Sequence, residues 1–163
     1  MSFLACVCGL MLTACVSDRP APGRRPSSGR GPVRQLHLWT GPTALNLDQA
    51  PGADGFAIRV YASSAKSAAT VAIANGTLEI LMFDGALKEE PPEGTKPLRV
   101  WTYSASELKP YTQRGAVGVL YMLTLPWGDS KPTQERITVM ARFHPEKGAP
   151  IDSGPSTISV AVK

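Results

Sequence analysis

The sequence is poor in the residues that usually carry chemistry. It has three cysteines and two histidines in 163 residues, and every cysteine lies within the first 15 positions. A disulfide inside the rest of the chain is therefore excluded, and neither a Cys-X-X-Cys pair nor an H-E-X-X-H motif is present. His37 and His144 could meet if their predicted strands paired, but zinc needs three or four protein ligands. We therefore expect no metal site and no cofactor.

Catalytic constellations are equally scarce. Ser63-Ser64-Ala65-Lys66 has the S-x-x-K spacing of penicillin-recognising enzymes, yet the companion S-D-N and K-T-G motifs are absent. No other nucleophile has a base at a recognisable spacing. We therefore expect a protein that is not an enzyme.

Long apolar runs are missing apart from one near the N-terminus, Phe3–Leu12. As a helix, Met1–Ala14 would reach only about 21 Å, whereas a hydrocarbon core of about 30 Å needs roughly 20 apolar residues. The segment is therefore too short to span a membrane. An apolar stretch followed by small residues is typical of a signal peptide and its cleavage site.

The four residues Leu12-Thr13-Ala14-Cys15 resemble the lipobox of bacterial lipoproteins. The resemblance implies that residues 1–14 are a signal peptide, that cleavage follows Ala14, and that Cys15 carries the lipid, palmitate included. The protein would then be anchored in the cell envelope. Val16 and Ser17 follow the cysteine, where an aspartate would favour inner-membrane retention, so the resemblance favours the outer membrane, facing the periplasm.

The positive charge is concentrated in front of the predicted domain. The whole chain has a net charge of +4; residues 1–35 hold five arginines and one aspartate, whereas residues 36–163 hold 12 basic and 12 acidic residues. A nucleic-acid-binding domain would carry the basic charge on its folded part, so we expect no nucleic-acid partner. Arg19–Pro32 contains seven Pro or Gly and no large apolar residue, which predicts a disordered tether over residues 15–34.

Residues 35–163 show the pattern of a β domain. Apolar and polar residues alternate in Phe56–Tyr61, Val117–Leu125, Ile137–Phe143 and Ile158–Val162. Further strands are expected near residues 36–40, 71–74, 77–83 and 98–103. Seven or eight short strands in this length predict an all-β, Greek-key β-sandwich of immunoglobulin-like type.

Three local signals refine this prediction. Asn75-Gly76 between two β-prone runs suggests a two-residue type I′ hairpin. Ser104-Ala105-Ser106-Glu107 fits a helix capping box, and Pro110 limits the helix to about one turn. Gly85–Pro97 is expected to form a long exposed loop.

A second resemblance covers about 17 residues. Leu45-Asn46-Leu47-Asp48 and Gly55–Tyr61 are similar to the start of the small sandwich lipoproteins that help anchor type VI secretion membrane complexes. The rest of the domain is closer to small bacterial lipoproteins with a similar sandwich, for which no activity is implied.

The aromatic residues are the remaining candidates for a binding surface. Arg99, Trp101 and Tyr103 share one face of a predicted strand. If Leu98, Val100 and Thr102 point into the core, the trio forms an exposed stacking platform; the opposite orientation, which we favour, makes Trp101 a core residue. Trp127, in Pro126-Trp127-Gly128-Asp129, lies at a predicted turn and is expected to be the more exposed contact.

Together these observations favour a membrane-anchored envelope lipoprotein whose sandwich binds another envelope protein. The alternative is a module that binds a glycan or peptidoglycan through exposed aromatic residues. The two differ in one measurable property, since only the second predicts sugar binding that requires an aromatic side chain.

Overall fold

The protein folds as two facing β-sheets. The computed structural model describes residues 29, 31–89, 91–92 and 94–160, so the predicted signal peptide, Cys15 and most of the predicted tether lie outside the described residues. Within that part of the chain there are ten strands and one single-turn 3-10 helix at Lys109–Tyr111. The strands are β1 (Gln35–Thr40), β2 (Gly55–Ser64), β3 (Ser67–Val71), β4 (Thr77–Asp84), β5 (Arg99–Ser104), β6 (Thr112–Gly115), β7 (Gly118–Pro126), β8 (Arg136–His144), β9 (Ile151–Asp152) and β10 (Ser156–Ser159).

The strand order is that of an immunoglobulin-like sandwich. The first sheet runs β1-β2-β3-β7-β6, with β2 also paired directly to β7, and the second runs β10-β8-β4-β5, with β9 paired to β8. With the short strands β3 and β9 set aside, these orders match the A-B-E-D and G-F-C-C′ sheets of the immunoglobulin fold. The predicted all-β Greek-key sandwich is therefore confirmed.

The core lies between the two sheets and follows from the period-two pattern. Phe56, Ile58 and Val60 of β2 face Ile137 and Val139 of β8 across the sandwich, and all five are at most 2% exposed. Successive side chains of a strand point to opposite faces of the sheet. The apolar side chains on one face of each sheet therefore fill this layer. The core is assembled without any cysteine, as the sequence requires.

The predicted hairpin at Asn75-Gly76 is wrong. β3 belongs to the first sheet and β4 to the second, so residues 72–76 cross between the sheets. Ile73 is buried in the core, and its backbone N–H donates to the hydroxyl of Tyr121 at 2.7 Å, which draws the chain across. Gly76 has a φ of 84°, but no described residue other than glycine has a positive φ, so Asn75 cannot form a type I′ turn.

The reciprocal hydrogen bonds of the predicted capping box are present, but they close a turn at residues 105–108, and the helix itself begins only at Lys109. The Ser104 backbone N–H donates to Glu107 Oε2 at 2.7 Å, and the Glu107 N–H donates to Ser104 Oγ at 3.3 Å. The hydrogen bonds that the Glu107 carboxylate accepts from the Ser104 N–H and, at 2.7 Å, from the Ser104 hydroxyl hold the pKa of Glu107 below its usual value. The 3-10 helix that follows lasts three residues and contains Pro110, as expected.

The long connection between β4 and β5 lies on the outside of the second sheet. Leu87 packs there against Leu81, Phe83 and Met140, which form a small cluster separate from the main core. Residues 85–89 and 94–98 have no regular secondary structure, in agreement with the predicted loop.

The last part of the predicted tether contacts the sandwich. The Gly29 N–H donates to the Thr70 carbonyl at 3.0 Å, and the Arg34 N–H donates to the Ser63 carbonyl at 2.8 Å. Val33 packs against the core from the same segment. In the portion of the chain described here, no helix has the length and hydropathy needed to cross a membrane.

The register defines two ends of the sandwich. Gln35, where β1 begins, lies opposite Ser63 near the end of β2, so the segment leading from the predicted tether reaches the sandwich at this end. We call this the proximal end and the opposite one the distal end. The proximal end is formed by residues 31–34, 65–66, 72–76, 105–111 and 145–150. The distal end is formed by residues 41–54, 127–135 and the described residues between 85 and 98.

Candidate binding surface

The trio predicted from the sequence faces inwards. Trp101 meets the ring of Phe56 edge-on at 5.6 Å between centroids, and Arg99 lies 5.1 Å from the Trp101 ring centroid. Trp101 and Tyr103 pack against the core, whereas Val100 is 41% exposed. The inward orientation that we favour is observed, with Trp101 half-buried at the margin of the core, and the alternative of an exposed stacking platform is wrong.

Trp127 is buried, so the prediction of an exposed contact is wrong. Its side chain is 1% exposed. The inward face of β7 carries Tyr121, Leu123 and Leu125, and Trp127 continues this alternation for one more step beyond the strand. The backbone N–H donates to the Asp54 carbonyl at 3.0 Å, and the carbonyl accepts a hydrogen bond from the Arg99 guanidinium. Arg99 therefore contacts both Trp101 and Trp127, and its role is structural.

The two histidines do not meet. His37 lies on β1 with its Nε2 3.3 Å from Ser63 Oγ, whereas His144 lies on β8 with its Nε2 2.8 Å from Glu79 Oε2. β1 pairs with β2 rather than with β8, so the two side chains belong to different sheets. A search of the described residues finds no group of three or more potential metal ligands.

An exposed apolar surface instead lies on the outside of the first sheet. Trp39 is 66% exposed, the largest value among the exposed large apolar side chains of the described chain. The register places it beside Arg59 on β2, which in turn lies beside Met122 on β7. We refer to Trp39, Leu45, Arg59 and Met122 as the Trp39 face.

The alternation along β1 explains why Trp39 points outwards. Leu36 and Leu38 turn towards the core, which leaves Gln35, His37 and Trp39 on the opposite side. The polar neighbours of Trp39 on this side were a sequence signal for its exposure. The proline and glycine around Trp127 were a stronger local signal of exposure, so the sequence alone pointed to Trp127 rather than to Trp39.

A shallow groove of about 310 Å³ runs along the Trp39 face. Its floor includes Ala57 and Ile58 of β2, and its rim includes Leu45 from the loop at residues 41–54. Leu45 is fixed there because its N–H donates to the Gly55 carbonyl at 2.8 Å.

A carboxylate holds the rest of that loop in place. Asp54 accepts hydrogen bonds from the N–H of Leu47 at 2.6 Å and of Asp48 at 3.1 Å. Leu47, 38% exposed, extends the apolar surface beyond the groove. The loop that forms the rim is therefore held in place by hydrogen bonds to its backbone N–H groups.

The strands beneath this surface carry no negative charge, whereas the loop that forms its rim contributes Asp48 and Asp54. No residue in the five strands of the first sheet is acidic, while Arg59 projects from the middle of the Trp39 face and is exposed. The second sheet differs, because its outer surface carries the ion pair Arg142–Asp152, a hydrogen bond between His144 and Glu79, and a cluster covered by Leu87. The Trp39 face can bind an apolar group and an anion side by side.

Comparison with known proteins does not identify the chain: no protein-family model matches it, and no curated protein is significantly similar to it.

Proposed function

We propose that the protein is a lipid-anchored component of the bacterial envelope and that its sandwich binds a partner protein through the Trp39 face. It carries out no catalysis in this proposal. The observation that carries the binding role is the 66% exposure of Trp39 beside the groove. Tryptophan, arginine and methionine are enriched at protein interfaces, and tryptophan and arginine dominate their binding energy.

The chemistry of the Trp39 face narrows the partner. The groove accepts an apolar side chain, and Arg59 has no acidic neighbour on its own sheet. A partner that presents an apolar anchor next to a carboxylate would satisfy both. Loss of a central tryptophan contact typically costs about 2 kcal/mol or more, which is roughly 30-fold in affinity.

Site-specific photocrosslinking in living cells tests the binding surface. A photoreactive residue at Thr124, exposed on the Trp39 side and paired with Ala57, should capture one envelope protein. The same residue at Thr102, exposed on the outer surface of the second sheet, is the matched control and should not. The captured protein, once purified, should bind Trp39→Ala at least tenfold more weakly. Unchanged affinity in Trp39→Ala would contradict the proposal.

Glycan binding is the second candidate, because an exposed indole beside a groove can stack on a sugar ring. The sugar would bind Trp39 rather than the Trp101 and Trp127 expected from the sequence, since Trp101 packs against the core and Trp127 is buried in it. Sedimentation with purified peptidoglycan decides between the candidates. Binding that is lost in Trp39→Ala would favour the glycan, and no sedimentation together with a crosslinked protein would favour the first proposal.

The lipid anchor is supported by Leu12-Thr13-Ala14-Cys15 and by the absence of any later cysteine. Intact mass of the natively expressed protein should show removal of residues 1–14 and acyl chains on Cys15. Cys15→Ser should move the protein out of the membrane fraction, whereas the control Cys8→Ser, within the removed segment, should not. A natively expressed protein that keeps Met1 and carries no lipid would disprove the anchor.

A further inference from the structure

Two adjoining grooves open at the proximal end of the sandwich. The first, of about 670 Å³, lies between residues 31–34 and the loop at residues 145–151. The second, of about 780 Å³, lies between residues 72–76 and residues 104–112. Both linings include Ala72, Ala74, Asn75 and Glu146, so the two grooves form one continuous depression.

The charged side chains around this depression are mostly cationic. Arg34 and Lys147 line the first groove, and Lys109 and Arg114 line the second, whereas Glu146 is the only carboxylate in either lining. All four cations are exposed, and none of them forms an ion pair with another described residue. Glu107 lies at the same end but outside both linings, so the proximal segments as a whole hold Arg34, Lys66, Lys109 and Lys147 against Glu107 and Glu146, a net charge of +2.

The distal end has the opposite balance. Its loops carry three lysines, Lys88, Lys96 and Lys131. Five carboxylates lie in the described parts of the same loops: Asp48, Asp54, Glu89, Asp129 and Glu135. The near-zero net charge of the domain thus hides a separation of charge along its length.

We infer that the proximal end is a docking surface for an anionic phospholipid membrane. The inference rests on the proposed lipid anchor, because the chain segment that ends at Arg34 leads back to Cys15. Only 14 residues separate Cys15 from Gly29, which is hydrogen-bonded to Thr70, and even a fully extended chain of that length reaches no more than about 50 Å, so the proximal end stays within that distance of the headgroups. Basic residues near an anionic surface are attracted to it within a Debye length of about 8 Å at physiological ionic strength. The arginines of residues 19–30 add to the same attraction.

Fluorescence quenching on vesicles tests which end faces the lipid. The acylated protein has no free thiol, so a single dye can be attached at Ala149→Cys, in the lining of the first groove, or at Thr95→Cys in a distal loop. Vesicles contain phosphatidylcholine with or without about 30% phosphatidylglycerol and a headgroup-labelled quencher. The Ala149→Cys dye should be quenched at least threefold more in the anionic vesicles. The Thr95→Cys dye should not respond to lipid charge, and 0.5 M NaCl should remove the difference.

Two matched triple variants separate a local surface from net charge. Lys109→Glu/Arg114→Glu/Lys147→Glu should abolish the extra quenching, while Lys88→Glu/Lys96→Glu/Lys131→Glu, with the same change in charge at the distal end, should retain it. Circular dichroism confirms that both variants fold. Equal quenching in neutral and anionic vesicles, or equal loss in both triples, would overturn the inference.

Failure of the anchor itself is visible separately, by intact mass. An unacylated protein can still be floated with the two kinds of vesicle. Flotation with anionic vesicles only, lost in the proximal triple variant, would support the docking surface, and no flotation would overturn it.

Discussion

Two tryptophans illustrate how differently the same residue type is used. Trp39 is two-thirds exposed, whereas Trp127 is sealed in the core at the end of β7. We expect Trp127→Ala to lower the free energy of unfolding by about 3–5 kcal/mol, as large-to-small core substitutions do. Trp39→Ala should change it by about 0.5 kcal/mol or less. Urea unfolding of both variants checks this, and comparable losses would contradict the assigned burial.

Tyr121 gives stability a dependence on alkaline pH. Burial raises the pKa of its phenol, and the hydrogen bond from the Ile73 N–H, which acts in the opposite direction, does not cancel this. The neutral phenol is therefore favoured by folding. Its contribution is complete below the unfolded pKa of about 10 and is lost as the pH rises through the higher pKa of the folded protein.

The variant Tyr121→Phe tests this contribution. Near pH 7 it should cost about 1–3 kcal/mol, because the buried Ile73 N–H loses its acceptor. Between about pH 10 and 12, the melting temperature of the variant should fall less steeply than that of the wild type. Tyr103, whose pKa is also raised by burial, should cause part of the fall of the melting temperature with pH in both proteins. Parallel pH profiles for the two proteins would rule out the proposed role of Tyr121.

At the scale of elements, the crossing at residues 72–76 depends on a glycine. Gly76 has a φ of 84°, and a Cβ built there would lie 2.3 Å from the His144 carbonyl oxygen. We expect Gly76→Ala to lower the melting temperature clearly more than Gly148→Ala. Gly148 has a φ of 107° with no atom within 4 Å of its virtual Cβ, so it isolates the backbone cost from the clash. Equal shifts in differential scanning calorimetry would mean that the clash is relieved.

The elements also show what the sequence could reveal. Seven strands were predictable from their apolar pattern, but the strand expected near residues 71–74 is displaced, because β3 ends at Val71 and residues 72–74 belong to the crossing. Residues 112–115 and 151–152 were missed, since strands this short and polar carry no periodic signal. The hairpin prediction at Asn75-Gly76 was wrong because turn chemistry is local, whereas the assignment of β3 and β4 to different sheets is a property of the whole fold.

The candidate site was less predictable than the fold, for a related reason. Proline and glycine around Trp127 indicate a turn, and turns are usually exposed. Here the preceding alternation of β7 places the indole under the loop at the distal end. For Trp39 the alternation of apolar and polar residues along β1 indicated exposure. Only the pairing of three strands shows that Arg59 and Met122 lie beside it.

At the scale of the whole molecule, an apolar side surface and a cationic end divide the proposed tasks. The Trp39 face lies on the side of the first sheet, so contact of the proximal end with lipid would leave it open to a partner. One edge of the sandwich is also closed by backbone contacts, since the Ala44 N–H donates to the Ser159 carbonyl at 2.7 Å. This joins the β1 side of the first sheet to β10 of the second.

Stability at this scale must come from noncovalent contacts. Every cysteine precedes residue 16, so no disulfide can link the two sheets. A domain of this length can bury enough apolar surface without one. We expect the thermal midpoint to agree within about 1 °C with and without dithiothreitol. For comparison, a loss of 1 kcal/mol lowers the midpoint of a domain near 100 residues by about 4–8 °C. The Ala44→Cys/Ser159→Cys pair, if oxidised across the closed edge, provides the positive control because its midpoint should fall on reduction. A wild-type midpoint that also falls would require a sulfur bridge from the N-terminal segment and would contradict a lipid on Cys15.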